Sequence, residues 1–192
     1  MPGPWLILGL GNPGAEYART RHNVGFWVID ALAERHRFAS FREKFGASWS
    51  KGTIAGAEVI LAKPQTYMNR SGEPGQQLAQ FFKAETPNIV VVHDELDFEP
   101  GVLKVKLAGG HGGHNGLRSL IANVGDGFVR LRLGVGKPPP GRGTDFVLGA
   151  PRGVELRAIE DACARAVDAV GMTVERGVKA AMEKFNQSAP LK

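Results

Sequence analysis

Residues 9 to 23 read Gly-Leu-Gly-Asn-Pro-Gly-Ala-Glu-Tyr-Ala-Arg-Thr-Arg-His-Asn, directly after the apolar run Trp5-Leu6-Ile7-Leu8. An apolar run broken by Gly and Pro is a buried strand that ends in a loop. Two readings compete for the loop. Gly9, Gly11 and Gly14 have the G-x-G-x-x-G spacing of a dinucleotide-binding turn, which predicts a redox cofactor. The same stretch presents the amide of Asn12 and the imidazole of His22 at a strand end, which predicts hydrolysis. A dinucleotide turn must open a helix, and a second strand with an acidic end must follow about 20 residues on. Here Pro13 interrupts the turn. Asp30 and Glu34 fall inside a helical pattern over Asn23 to Arg37, marked by Val24, Phe26, Ile29 and Ala33. The spacing disfavours the cofactor reading and leaves the glycines as a tight turn that exposes backbone.

Strand and helix patterns alternate along the rest of the chain. Residues 47 to 63 hold two weak strands, the clearer at Val59-Ile60-Leu61-Ala62. Ser71 to Lys83 is helical through Leu78, Phe81 and Phe82. The β-branched run Asn88 to His93 is a central strand. Val102 to Leu107 and Phe128 to Val135 alternate as half-exposed strands, with a short helix over Asn115 to Val124 between them. Gly136 to Thr144, with Pro138, Pro139 and Pro140, is a loop. Residues 153 to 185 are helical, with Gly171 and Gly177 as candidate breaks. No linker divides the 192 residues. The expected fold is a single α/β domain, residues 1–192: a twisted, mixed but mostly parallel central sheet flanked by helices. A flexible lid is expected over about 136–152 and C-terminal helices over about 153–186.

The one cysteine, Cys163, cannot form an internal disulfide or a cysteine metal cluster, which points to the cytosol. No apolar run approaches the roughly 18 residues that span a bilayer. The N-terminal stretch MPGPWLILGLG has neither a basic start nor a small-residue cleavage site, so no signal peptide is expected. The net charge is +5. Residues 101–152 hold eight basic residues against Asp126 and Asp145, a net +6, and the remainder carries −1. Charge gathered in this way suggests a polyanionic partner or a solvated basic face. Lys104 and Lys106 alternate on one strand and Arg130 and Arg132 on another, so each pair shares a face and could clamp phosphate.

Polar groups collect at the expected strand ends and glycine turns: Asn12, His22 and Asn23; Asn69; His93-Asp94-Glu95-Leu96-Asp97; and His111 and His114-Asn115 in Gly109 to Gly116. Ligands of open α/β sheets bind outside the carboxyl ends of strands. The set suits general-base hydrolysis: an imidazole takes a proton from water, a carboxylate fixes its tautomer, and amides bind a carbonyl or oxyanion. No G-x-S-x-G elbow supports a serine nucleophile. Cys163 lies on an apolar helical face and reads as core. His111 and His114, with His93-Asp94, raise a zinc site. The glycine-rich run 109–113 lacks the helix that usually presents paired histidines.

The segments GLGNPGAEYARTRHNVG (9–25), KPQTYMNRSG (63–72), VVHDELDFEPG (92–101) and GGHGGHNGLRS (109–119) resemble bacterial peptidyl-tRNA hydrolases, with RLRLGVGKP (130–138) and FVLGAP (146–151) following in order. The resemblance spans nearly the whole chain. It implies hydrolysis of the ester between a peptide and the terminal ribose of tRNA, by a cytoplasmic monomer that uses neither metal nor organic cofactor. On matching positions it implies His22 as general base, Asp94 as its supporting carboxylate and Asn12 as the residue that distinguishes blocked from free aminoacyl ends. Tyr17, Tyr67, Asn69 and Asn115 would hold the acceptor end, His114 would line the site, and Lys106 and Arg132 would receive the tRNA 5′-phosphate. For the discrimination, the side-chain carbonyl of Asn12 is the expected acceptor for an amide N–H, in a site without a carboxylate to pair with a free ammonium. A binding module that holds tRNA without cleaving it is the competing expectation. The Pro138–Pro140 loop and the C-terminal tail are expected to vary without touching the chemistry.

Overall fold

The computed structural model describes residues 3–187. The first two residues of the N-terminal stretch and the tail 188–192 lie outside them. Seven strands form one sheet: β1 (Trp5–Gly9), β2 (Arg42–Lys44), β3 (Ala47–Ile54), β4 (Ala57–Pro64), β5 (Ile89–Glu95), β6 (Leu103–Leu107) and β7 (Val129–Gly134). Their spatial order is β2-β3-β4-β1-β5-β7-β6. The inner strands β4, β1, β5 and β7 are parallel, while β3 and β6 run against their neighbours. Antiparallel pairing of β2 with β3 returns β2 to the common direction, so five strands run one way. This is the mixed, mostly parallel α/β sheet that the sequence predicts. Strand β2 escapes prediction because its three residues are all exposed and carry no apolar alternation.

The helices are α1 (Val24–Arg35), α2 (Gly72–Phe82), α3 (Asn115–Val124), α4 (Gly143–Val147), α5 (Gly153–Arg176) and α6 (Val178–Phe185). The period of two along β1 feeds two cores. Ile7 faces Val28 and Ile29 of α1 and Val167 and Val170 of α5. Leu6 and Leu8 face Leu78 of α2 and Leu117 and Leu120 of α3. Of the two candidate breaks in the C-terminal helix, Gly177 (φ 94°) ends α5, whereas Gly171 lies inside it. The expected loop 136–144 needs correction at its end. Gly143 and Thr144 begin α4, beyond the last proline, with Asp145 in the first turn where the helix dipole favours an acid. The free edge of β6 is covered by Asn186, whose Oδ1 accepts from Val105 N (2.6 Å) and whose Nδ2 donates to Val105 O (2.8 Å). One amide thus stands in for a neighbouring strand.

The glycines after β1 serve packing more than turning. Only Gly14 has a left-handed backbone (φ 108°). A Cβ on Gly9 would lie 2.2 Å from Gly25 O, and one on Gly11 2.8 Å from the Phe26 ring. A Cβ on Gly25 would lie 2.4 Å from both Leu10 N and Val92 O. Helix α1 therefore rests almost backbone-to-backbone on β1 and β5, ten residues beyond Gly14, and the glycine turn itself opens only a three-residue 3-10 turn, Ala15–Tyr17. That arrangement removes the dinucleotide reading and places the turn carrying His22 against the ends of β1 and β5. Gly25→Ala must push this contact apart against main chain, and a cost of at least about 3 kcal/mol is expected. Urea unfolding of the two proteins measures it.

Candidate active site

A cavity of about 530 Å³ opens at the carboxyl ends of β1 and β5. Asn12, His22, Asp94, His114, Asn69 and Asn115 all line it, so four separate segments of the chain converge on one space. The topology explains the convergence. β1 and β5 are parallel neighbours, so the loops after both emerge on the same side.

Asp94, 3% exposed at the end of β5, is the hub. Its Oδ2 accepts from His22 Nδ1 at 2.8 Å, and its Oδ1 accepts from His114 Nε2 at 2.8 Å. Its backbone oxygen accepts from His93 Nδ1, also at 2.8 Å. Burial pushes the Asp94 carboxyl up, but the charge and hydrogen bonds of His22 and His114 outweigh it and hold the group well below the usual carboxylate range. Burial lowers the pKa of His22, and the Asp94 carboxylate more than reverses this, leaving it raised. With Nδ1 donating to Asp94, the lone pair of His22 lies on Nε2, the nitrogen available to the cavity. His114 Nδ1 accepts from Gly116 N (3.1 Å) and Leu117 N (3.3 Å) at the start of α3, so its proton sits on Nε2 and goes to Asp94. The imidazole caps the helix in the place of a Ser or Asp.

The three ligand-capable atoms of His22, Asp94 and His114 lie within 4.8 Å of one another. Both carboxylate oxygens already accept an N–H, and an ion there would have to replace both protons. The zinc grouping raised from sequence does not form. His111 Nδ1 accepts from Gly113 N within its own loop, and His93 is buried behind Asp94.

Asn12 is held on three sides. Its backbone N–H donates to Asn23 Oδ1 (2.9 Å), and its backbone oxygen accepts from Asn23 Nδ2 (2.9 Å). Its side-chain oxygen accepts from Met68 N at 2.8 Å. This corrects the expectation for Asn12. The carbonyl is engaged inside the protein, and Nδ2, which has no partner among the described residues, is the group left for the cavity. The premise of a site free of carboxylates is corrected too, because Glu95 and Asp97 line the same cavity.

Tyr67, 57% exposed, stands at the rim, and Tyr17 meets it edge-on with ring centroids 6.3 Å apart. The four basic residues of β6 and β7 do share a face, since Lys104 pairs with Arg132 and Lys106 with Arg130 across the ladder. They are not equally available. Arg130 is buried, and its guanidinium binds the carbonyl oxygens of Gly109 and Gly110. Lys104 donates to Asn186 O (2.9 Å). Arg132 donates to Glu95 Oε1 through Nε (3.0 Å) and Nη2 (2.7 Å) and lies over the Phe98 ring. Lys106 is exposed and forms no ion pair among the described residues. Lys106 and Arg132 lie outside the cavity.

Sequence reasoning missed Met68, Leu96, Val147 and Leu148, the apolar part of the cavity wall. It also missed Asn23 as the clamp on Asn12. A lone Asn before a helix reads as a cap, yet its side chain caps nothing here.

His93 gives this cluster a signature in stability. Its Nε2 is buried without a partner, and burial together with His114 pushes its pKa down to about 3. An unfolded chain protonates the residue near 6.5. Between those values the unfolded state binds more protons, so stability falls as pH falls. His22 works in the opposite sense, but its contribution is complete once pH drops below the unfolded value. Between pH 6.5 and 5, above the carboxylate range, His93 should cost about 2 kcal/mol. His93→Leu should lack that loss when urea midpoints are compared at the two pH values.

Residues 6–192 match the family model for peptidyl-tRNA hydrolase. The chain is 50% identical over 185 residues to the peptidyl-tRNA hydrolase of Sorangium cellulosum, covering 94% of this chain and 83% of that protein. It is 42% identical over 187 residues to that of Acinetobacter baylyi, covering 96% and 97%. The crystal structure of the Acinetobacter baumannii peptidyl-tRNA hydrolase superposes with a TM-score of 0.94 at 40% identity, over 100% of this chain and 98% of that one. The fold and the sequence agree along the whole length: the chain belongs to the peptidyl-tRNA hydrolase family.

Proposed function

We propose that the protein hydrolyses the ester linking a peptide, or an N-blocked aminoacyl group, to the terminal ribose of tRNA, with His22 as general base. The observation that carries this reading is the buried Asp94 carboxylate on His22 Nδ1. It orients the ring with Nε2 toward the cavity and stabilises the imidazolium that forms when Nε2 takes a proton from water. The resulting hydroxide attacks the ester carbonyl. Asn12 Nδ2 donates to the developing oxyanion, and the ribose hydroxyl leaves with the proton returned from His22. No metal or organic cofactor enters the scheme. Asn69 and Asn115 hold the acceptor end beside the Tyr17–Tyr67 pair, on which an unstacked base can lie.

Lys106 and Arg132 receive the 5′-phosphate. Lys106 carries the larger share, since Glu95 already neutralises Arg132 in part. Among the described residues no helix is long and apolar enough to cross a membrane. The same reading takes the protein as a cytoplasmic monomer that recycles tRNA.

His22→Ala should lower kcat about 10² to 10⁴-fold while tRNA binding persists. Native turnover in that variant, measured with N-acetyl-aminoacyl-tRNA, would remove His22 from its role. In the wild type, the acidic limb of kcat/KM should have its midpoint above 6.5, because His22 must be neutral to act and its pKa is raised. Asp94→Asn leaves burial as the dominant influence on His22, so the limb should move to lower pH as the rate falls. Asn12→Asp keeps an oxygen for Met68 N and turns a second, charged oxygen to the cavity. The ratio of blocked to free aminoacyl-tRNA hydrolysis should drop, and an unchanged ratio would separate Asn12 from the discrimination. Lys106→Ala should raise KM and reduce the slope of log KM against log salt by about one.

A further inference from the structure

We propose that Arg21 is a positioning residue that latches a lid, residues 143–149, over the cavity and at the same time fixes the turn carrying His22. The proposal rests on His22 as the base. Arg21 directly precedes His22 in a three-residue 3-10 turn, Arg21–Asn23. Its backbone N–H donates to Gly149 O at 3.0 Å. Its Nη1 donates to Phe146 O at 3.1 Å, and its Nε donates to Glu155 Oε1 at 2.9 Å, in the first turn of α5. The guanidinium carbon lies 4.1 Å from the centre of the Phe146 ring. One residue thus grips three successive parts of the chain: the end of α4, the segment after it and the start of α5. The grip is close. A Cβ on Gly149 would come within 3.0 Å of Arg21 Nη1.

The segment needs an external tie. A five-residue helix cannot sustain itself in water, and only Val147 of α4 is buried. Three prolines precede it at 138–140. Yet Thr144, Val147 and Leu148 form one wall of the cavity. Opening this wall would break bonds to the residue beside the base, so the lid and His22 are coupled through Arg21. The side chain is 12% exposed and that of Glu155 33%, so the pair is partly shielded from water. The geometry uses Nε, Nη1 and the flat face of the guanidinium at once. A lysine supplies the charge but not this fork or this face.

The test combines hydrogen exchange of the 143–149 amides with steady-state hydrolysis of N-acetyl-aminoacyl-tRNA in wild type, Arg21→Met, Arg21→Lys, Glu155→Gln and His22→Ala. In both Arg21 variants, lid exchange should quicken about tenfold, KM should rise about tenfold and kcat should fall, the scale of loss that follows from a misplaced catalytic wall. Glu155→Gln keeps the carbonyl bond and the ring stack and should show a smaller change in the same direction. Lid exchange and KM within twofold of wild type in Arg21→Met, or full rescue by Arg21→Lys, would overturn the proposal. If Arg21→Met does not fold, Glu155→Gln decides, and unaltered lid exchange there rejects the latch. His22→Ala should keep wild-type lid exchange. Undiminished turnover in it would reject the base assignment while leaving the exchange measurement to judge Arg21.

Discussion

A carboxylate nearly sealed from water is costly unless hydrogen bonds replace its hydration. Asp94 meets that cost with both of its oxygens, one on His22 and one on His114. The consequence runs outward in two directions. Toward the cavity, it fixes which nitrogen of His22 carries the lone pair. Toward the interior, it requires His114 to present an N–H, and the main chain at the start of α3 enforces this by donating to the other nitrogen. The glycine-rich run before α3 supplies the freedom to bring that helix end so close: Gly112 and Gly113 both have positive φ, and a Cβ on either would meet nothing within 4 Å. A β-strand end, a helix start and a 3-10 turn are locked by one side chain. His93 closes the cluster from behind, with its ring edge-on to that of His114 at 5.1 Å.

The separation of acid and base character follows from the same contacts. Two imidazoles beside one buried carboxylate push the carboxyl down, while the carboxylate pushes His22 up. One ionised state is thereby favoured for Asp94, and His22, raised above its ordinary value, is the group proposed to exchange protons. His93, next to Asp94 in the chain, is driven the other way, because its burial and the neighbouring His114 outweigh the smaller pull of Asp94. The pleat of β5 directs the consecutive side chains of His93 and Asp94 to opposite faces, and the Asp94 carboxylate bonds His22 and His114.

Much of this was legible in the chain. The strong strands β1, β5 and β7 and the helices flanking them announce themselves by period and by β-branched runs. The polar residues of the site were identifiable because they fall just after those strands. What stayed hidden depends on distance in three dimensions. Gly9 and Gly25 look like a turn glycine and a helix-weakening glycine, yet Gly9 is required by the backbone of Gly25, and Gly25 by the backbone of Leu10 and Val92. The orientation of the Asn12 amide is set by Met68, 56 positions away. Arg21 reads as one more surface charge beside Arg19, and only the fold brings Phe146 and Glu155 to it. The short exposed β2 has no pattern to read, and α4 follows a proline run that masks its start.

The charge of residues 101–152 shows where counting misleads. Eight basic residues against two acidic ones suggested a polyanionic partner or a solvated basic face. In the folded chain, Arg130 supports the glycine loop before α3, Lys104 holds the end of α6, and Arg132 is tied to Glu95 on the cavity wall. A guanidinium that already satisfies a carbonyl or carboxylate offers fewer donors and less net field to a phosphate. The usable positive charge on this face is therefore concentrated at Lys106, with Arg132 contributing through the donors Glu95 leaves free. Because Glu95 directly follows Asp94 and lines the cavity, a phosphate that drew on Arg132 in the proposed way would act on a side chain one residue from that carboxylate. The proposed anion-binding face and the proposed hydrolytic centre are joined by a salt bridge of 2.7 Å between neighbouring parallel strands.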